Sequence, residues 1–212
     1  FQTYRYKLDN GKYWDKTTDN FYQNHNILSG SWMPNEHWSH NAAIHYTYGH
    51  GYYSEFRPQN KFSKFGKKAT DSEGNTIEKA DFVRKKGLAQ NNYGALYNVN
   101  FKNDKWDVIG GMNMTQFRCN HFGKLKYVSN VGQVEDYTGY KYYDSDARKD
   151  DYSVFAKATY HVFDFFDVFG DIQYRHVFYK TNGKNDKFYE NDNSHQILDI
   201  HKKYDFWNPK AG

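Results

Sequence analysis

Apolar and polar side chains alternate along two neighbouring stretches between Asp151 and Lys180. In the first, every second position from Tyr152 to Val162 is apolar or aromatic, and the positions between are mostly polar. The stretch from Val168 to Tyr174 alternates in the same way. A period of two is typical of a β-strand with one apolar and one polar face. Because only a few residues join the two stretches, the pattern predicts an antiparallel hairpin.

Five further stretches show the same period and predict strands. They cover residues 21–33, 38–53, 92–101, 106–117 and 197–212. Compact turns are predicted at Pro34–His37, at Asn103-Asp104 and around Asp164. The first 20 residues are polar, and Asn10-Gly11 predicts a turn there, in a short hairpin or the end of a loop.

Long polar stretches separate these hairpins. They run from Glu55 to about Asn91, from about Cys119 to Lys149, and from Thr181 to about Ser194, and we expect them to be irregular loops. Every second connection is therefore short and the others are long. In an up-and-down antiparallel sheet this places all tight turns at one end and all long loops at the other, an asymmetry typical of outer-membrane barrels.

The two faces of the hairpin allow two environments. A soluble β-sandwich would bury the apolar face under a second sheet, whereas a transmembrane barrel would expose it to lipid and turn the other face to a watery lumen. In the barrel, Val154, Ala158, Val168 and Ile172 would face lipid. The predicted lumen-facing residues are Lys157, Thr159, Asp171, Gln173 and Arg175.

Aromatic residues also favour the barrel. Trp32, Trp38 and Trp106 flank two of the short turns, and Phe163, Phe165 and Phe166 flank the third. An aromatic girdle at one bilayer interface would lie there. In a sandwich the same residues would close the ends of the core.

Composition narrows the class of protein. Aromatic residues make up 20% of the 212 residues, yet the mean hydropathy is −1.06. Disordered chains are poor in aromatic residues, so Tyr-rich strands between polar loops explain both values better. The net charge of +4 gives no case for a nucleic-acid partner. The single cysteine, Cys119, excludes an internal disulfide, and no apolar run is long enough for a transmembrane helix.

Several segments, in order along the chain, resemble part of the barrel of TonB-dependent outer-membrane receptors, most of all those for iron–siderophore or related metal complexes. These segments are HYTYGHGYYSEF (45–56), DFVRKKGLAQNNYG (81–94), NHFGKLKYV (120–128), GDIQYRHVFYKTNG (170–183) and LDIHKKYDFWNPKAG (198–212). The resemblance runs from about Asp19 to the end of the chain.

The resemblance implies a 22-stranded transmembrane barrel with long extracellular loops and an N-terminal plug. It also implies import driven by the TonB complex, which acts on a box before the plug. Residues 1–212 would form a single segment of about seven or eight strands, without plug or TonB box. The implied setting is the bacterial outer membrane with its lipid and lipopolysaccharide. The implied cargo, a metal chelate such as a ferric siderophore, would be the only metal, with no resident cofactor.

Candidate ligand-binding residues lie where the strands would enter the loops. Aromatic rings there can stack on a cargo, and arginines can pair with an anionic chelate. An interface belt and a solvated loop are the alternatives for these residues. The candidates are Tyr48, His50, Tyr52, Arg57, Arg118 and His121.

No pattern indicates catalysis or a metal site. The chain has no nucleophile elbow, phosphate-binding glycine loop or HExxH motif, and its ten histidines lack metal-ligand spacing. The sequence therefore predicts a non-enzymatic transport segment. A soluble β-sandwich that binds glycans through a Tyr-rich surface is the alternative.

Overall fold

The computed structural model describes residues 6–16 and 18–212, and most of these lie in one antiparallel sheet. Its long strands are β1 (Asp19–Trp32), β2 (Trp38–Lys61), β4 (Lys79–Lys102), β5 (Trp106–Val128), β7 (Lys141–Phe163), β8 (Phe166–Tyr189) and β9 (Ser194–Ala211). They are hydrogen-bonded in chain order. The prediction of an all-β, up-and-down antiparallel meander is confirmed.

A small second sheet sits at one end of the large one. It pairs β3 (Ala69–Thr70) with β6 (Gln133–Val134), and a 3₁₀ turn at Phe62–Phe65 precedes it. Near the N-terminus, an isolated bridge between Lys7 and Tyr13 closes a short hairpin around the turn predicted at Asn10-Gly11. Residues 1–5 and 17 of the polar N-terminal stretch lie outside the described residues.

The strands are longer than predicted, because they continue through most of the stretches expected to be loops. The pairing of β2 with β4 runs from Trp38 opposite Phe101 to Lys61 opposite Lys79, with one bulge. Between the long strands lie residues 62–78 and 129–140, which include the short strands β3 and β6, and a turn at 190–193. The prediction of three long irregular loops was therefore wrong in extent, since two shorter connections and one four-residue turn replace them. The ladder hydrogen bonds continue through these stretches, and Ala80 and Phe82 of β4 are buried there although no regular apolar alternation marks them.

The register places the alternating residues on two distinct faces of the large sheet. Val154 pairs with Tyr174 and Met112, and Ala156 pairs with Ile172, so these residues share what we call the apolar face. Lys157 pairs with Asp171 on the opposite face, which we call the polar face. Each predicted set of lipid-facing and lumen-facing positions therefore lies on one face of the sheet.

The apolar face is exposed over most of its width. Met112 is 55%, Val154 51% and Ile172 48% exposed, and Val168 is exposed as well. Within residues 6–16 and 18–212 the only other sheet is the two-stranded one, so no second layer covers these side chains. The buried sandwich interface considered as an alternative is not found there. The tryptophans and phenylalanines next to the short turns are also exposed.

The sheet curves towards its polar face. Strands β2 and β9 are five positions apart, about 24 Å in a flat sheet. Yet Tyr53 of β2 and Leu198 of β9 line the same cavity of about 500 Å³. The polar face is therefore concave, and the apolar face is the convex outer surface.

Candidate functional site

The 3₁₀ turn folds over the concave face at the end of the sheet opposite the tight turns. Gly66 ends this turn in the left-handed conformation, with φ at 60°, which a residue without Cβ adopts easily. Phe65 then packs against Phe82 of β4 and Tyr142 of β7, with ring centroids 4.5 and 5.0 Å apart. This aromatic cluster, with Phe62 and Leu125, is the main buried core of the chain.

A group of charged residues on the concave face lies next to this core, and we call it the Arg84 cluster. Arg84 contacts Glu55 of β2 at 2.7 Å and Asp186 of β8 at 3.1 Å. Lys86 contacts the other oxygen of Asp186 at 2.8 Å. Strands β4 and β8 are three positions apart, about 14 Å in a flat sheet, so these contacts depend on its curvature. The Arg84 side chain is only 12% exposed, and Arg57 joins Glu55 from the rim at 3.0 Å.

Burial and charge act against each other in the Arg84 cluster. Burial opposes ionisation of Glu55, but the hydrogen bonds and charges of Arg84 and Arg57 outweigh it and hold the pKa of this carboxyl below its ordinary 4.5. Burial also opposes ionisation of Asp186, but the hydrogen bond and charge of Lys86 and the charge of Arg84 outweigh it and hold the pKa of this carboxyl below 3.8. The pKa of Tyr142 is raised, mainly because its hydroxyl is buried. Both carboxylates are thus ionised at neutral pH, and the tyrosine is neutral.

The stability of the folded protein should therefore fall in acid. A carboxyl with a lowered folded-state pKa stabilises fully above its unfolded-state pKa, here near 4.5 for Glu55 and 3.8 for Asp186. This contribution is lost as pH falls through the lower folded-state values. Urea unfolding of the full protein at a series of pH values measures it. The double variant Glu55→Gln/Asp186→Asn should show a flatter dependence below pH 4.5, and an unchanged slope would contradict this origin.

A second group of contacts connects the 3₁₀ segment to the β8–β9 turn across the concave face. Glu190 binds Lys61 at 3.0 Å and Lys64 at 2.8 Å. The His195 ring lies between two backbone carbonyls, with Nε2 2.7 Å from Lys64 O and Nδ1 2.8 Å from Asn185 O. These contacts hold the segment over one side of the concave face.

Two cavities open on the concave face beside the Arg84 cluster. The larger one, of about 500 Å³, is lined by aromatic, aliphatic and small polar side chains from β2 to β9. The smaller one, of about 250 Å³, is polar and lies under the 3₁₀ turn. Arg84, Arg57, Asp186 and His195 are part of its lining. Asp186 lines both cavities, so the apolar wall of the larger one lies next to the charged side chains of the smaller one.

The structure divides the six candidate ligand-binding residues between the two faces. His121 lines the larger cavity on the concave face, and Arg57 lines the smaller one. The other four lie on the convex face by register, so the six residues do not form one site. Those four are Tyr48, His50, Tyr52 and Arg118. The ligand-binding role of each of the six stays a prediction.

The five predicted lumen-facing residues all lie on the concave face. Arg175 binds the carboxylate of Asp151 at 2.5 and 2.8 Å, and Lys157 stands opposite Asp171. Gln173 accepts a hydrogen bond from Asn208 at 3.3 Å. Thr159 lies on the same face as Lys157 and two residues closer to the tight turn. Charged and amide groups thus continue down the concave face from the Arg84 cluster.

The lysines and arginines of the stretch 61–86 do not form one basic surface. Lys61 and Lys64 bind Glu190, whereas Arg84 and Lys86 bind Asp186. Lys85 instead lies on the convex face, 3.5 Å from the centroid of the Tyr52 ring. Four of the eight lysines and arginines in this stretch are therefore paired with carboxylates within the chain.

The histidine, cysteine and acidic side chains of the described residues are spread over the sheet. In the described ranges no group of three or more histidine, cysteine or acidic side chains could hold a metal ion. Among the described residues, the Cys119 thiol lies 3.5 Å from the His121 ring. Burial raises the pKa of this thiol to about 11, so it is protonated at neutral pH. The absence of a resident cofactor stays a prediction.

No helix among the residues described here has the length and apolar character needed to cross a bilayer.

The Arg84 cluster was not predicted from the sequence. Arg84 and Asp186 are 102 positions apart, and nothing in the local pattern of either residue connects them. Their contact depends on the strand register, on the curvature of the sheet and on the extension of β4 and β8 into stretches expected to be loops.

Comparison with known proteins supports the fold. No family model and no curated protein matches the chain. Among solved structures, it is similar to the open form of the ferric-catecholate import receptor Fiu from E. coli K12, with a TM-score of 0.59 and 12% identity. The alignment covers 97% of this chain and 35% of the receptor chain.

The fold is therefore that of an open, curved antiparallel meander similar to about a third of a receptor chain. At 12% identity the likeness concerns the fold alone.

Proposed function

We propose that this chain is a segment of an outer-membrane receptor barrel that imports a metal chelate such as a ferric siderophore, with energy supplied through TonB. The observation that carries this proposal is the division of the sheet into an exposed, convex apolar face and a concave polar face. A transmembrane barrel needs this arrangement, because lipid surrounds it and water fills its lumen.

The dimensions of the apolar face support a membrane position. Trp38, next to a tight turn, and Tyr48 on the same strand are ten residue steps apart, about 33 Å along the strand. At a strand tilt of about 40° this corresponds to a band about 25 Å high, the usual height of the apolar belt of outer-membrane barrels. Aromatic residues lie at both borders, with Trp32 and Trp106 at one and Tyr46 and Tyr93 at the other.

The concave face supports the import of a polar, anionic cargo. The larger cavity is lined by three tyrosines and by Lys86 of the Arg84 cluster. The tyrosines are Tyr53, Tyr143 and Tyr179. Aromatic rings and cations together suit a ligand with flat aromatic groups and negative charge, as catecholate chelates have. His121 and Arg57 are the predicted ligand-binding residues that remain candidates in this position.

Uptake of iron by a strain that lacks the gene tests the function. We expect deletion to stop growth on one ferric chelate as the single iron source, and the gene to restore it only in a strain with an intact TonB system. Growth on ferrous iron, which needs no outer-membrane receptor of this kind, is the control. Unchanged growth and radiolabelled iron uptake on every ferric chelate tested would contradict an import role.

A further inference from the structure

The imidazole ring of His195 has a carbonyl oxygen next to each of its two nitrogens. Nε2 lies 2.7 Å from Lys64 O in the 3₁₀ turn, and Nδ1 lies 2.8 Å from Asn185 O in β8. A carbonyl oxygen only accepts hydrogen bonds, and a neutral imidazole has a single N–H donor. Both contacts are therefore hydrogen bonds only when the ring carries two protons and is an imidazolium.

An irregularity in β8 creates this position. The pairing of β8 with β9 jumps from Lys184 opposite Ile197 to Phe188 opposite His195, so the residues between them leave the regular ladder. Asn185 is one of these residues, and its carbonyl oxygen faces the His195 ring. The turn and the irregular part of β8 are thus connected through one side chain.

The surroundings of His195 suit a cation that is held only weakly. The ring centroid lies 5.2 Å from that of Phe188 and 5.8 Å from that of Tyr142, distances at which aromatic rings attract a positive charge. Charged and titratable groups of both signs surround the ring from every neighbouring element. They are Arg57 of β2, Lys64 of the 3₁₀ turn, Arg84 of β4, Tyr142 of β7, Asp186 of β8 and Glu190 of the β8–β9 turn.

The other groups around the ring keep their charge between about pH 5.5 and pH 8.5, the range in which imidazoles titrate. Neighbouring cations outweigh burial and hold the pKa of Asp186 below 3.8. Hydrogen bonds from two lysines hold the pKa of Glu190 below 4.5, and burial raises the pKa of Tyr142. Lysines and arginines stay charged in this range. A change in the contacts of the turn in this range therefore reports the proton of His195.

We propose that His195 is a proton-operated latch, whose imidazolium form holds the 3₁₀ turn closed over the smaller cavity and whose neutral form releases it. A neutral ring keeps one of the two bonds at most and turns a lone pair towards the other carbonyl oxygen. Phe62 and Phe65 keep the turn in the buried core, so we expect a local opening at Lys64 rather than unfolding. The inference goes beyond the proposed function, because it concerns access to the cavity whatever the cavity binds.

The protonation of His195 is measured by ¹⁵N NMR. The full protein that carries this chain is labelled with ¹⁵N-histidine and refolded in detergent micelles, and the His195 signals are identified by their loss in His195→Gln. We expect two protonated ring nitrogens at about pH 5.5 and one at about pH 8.5. A neutral His195 ring at the lower pH would overturn the latch.

Amide hydrogen exchange measures the closure of the turn. The N–H groups of Gly66 and Lys67 donate to carbonyls within the turn and report its opening. At about pH 5.5 they should be about tenfold more protected in the unchanged protein than in His195→Gln, the effect of one charge-assisted hydrogen bond. At about pH 8.5 the two proteins should exchange at equal rates. Comparison at the same pH removes the pH dependence of exchange itself.

His201→Gln is the matched control. His201 is an exposed histidine of β9 on the convex face, bound to Asp199, and its loss should leave the protection of the turn unchanged. Equal protection in the unchanged protein and His195→Gln at the lower pH would overturn the latch, as would a difference that persists at the higher pH or an equal loss in His201→Gln. If His195→Gln does not fold, the unchanged protein still decides, because its protection, corrected for intrinsic exchange, must fall about tenfold between the two pH values. A failed latch leaves the proposed function intact, since that depends on membrane insertion and iron uptake.

Discussion

Met112→Arg is expected to destabilise the membrane-inserted protein by about 2–4 kcal/mol, the cost of a charged side chain on the lipid face near the bilayer midplane. Met112 lies on the convex face near the middle of the apolar band and is 55% exposed. In a barrel this exposure means contact with lipid, where the guanidinium would lose its hydration. Guanidinium-induced unfolding of the full protein in vesicles measures the change.

The neighbouring substitution Asn113→Arg is the matched control. Asn113 is the next residue of β5, so its side chain lies on the concave face and the new charge would meet the lumen. We expect a change within about 0.5 kcal/mol for this variant, typical of a surface substitution. Equal destabilisation by the two arginines would mean that neither face is in contact with lipid, and the membrane assignment would be wrong.

Arg84→Met is expected to lower the free energy of unfolding by about 3 kcal/mol. Removal of one partner of a buried ion pair typically costs about 3–5 kcal/mol, because the remaining charge is left without compensation. The lower end applies here, since the Glu55 and Asp186 side chains are 31% and 24% exposed. Urea unfolding of the full protein at neutral pH measures the loss.

Lys141→Met provides the comparison for an exposed pair. Lys141 binds Asp144 at 2.7 Å, and these side chains are 34% and 45% exposed, whereas Arg84 is only 12% exposed. Such a pair contributes less than about 1 kcal/mol. If Arg84→Met cost no more than Lys141→Met, the Arg84 cluster would not connect the strands as described.

The alternation of side chains was sufficient to predict most of the sheet. Residues such as Ile44, Met112 and Val154 alternate with polar neighbours, and the structure places them together on the exposed convex face. That pattern defines the strands, their faces and, with the short turns, the up-and-down order. It also separated the predicted lumen-facing set around Lys157 from the apolar set, and the register places the two sets on opposite faces.

The pattern failed at the ends of the strands that lie beside the 3₁₀ turn and the small second sheet. Lys79 to Lys86 and Asn182 to Tyr189 continue β4 and β8, yet their composition is that of a loop. Hydrogen bonds to neighbouring strands hold these extensions in the sheet, and Ala80 and Phe82 of β4 also pack in the buried core with Phe62 and Phe65. The length of the strands was therefore underestimated at the end that carries the candidate site.

The Arg84 cluster and the contacts of His195 could not be predicted because each depends on positions distant in sequence. Lys64 and His195 are 131 positions apart, and only the packing of the 3₁₀ turn over the sheet makes them neighbours. The Arg84 cluster requires curvature as well as register. For the same reason Tyr48 and His121 were grouped as one site, although the pleat puts them on opposite faces.

Accessibility of spin labels at Val154 and Gln173 tests the membrane assignment most directly. Cys119, which is buried, is first replaced by alanine, and each position is then labelled in the full protein in vesicles. A label at Val154 should be relaxed by oxygen dissolved in the acyl chains, and a label at Gln173 by a water-soluble nickel chelate. Equal responses of both labels to both relaxants would contradict a sheet with one face in lipid and the other in water.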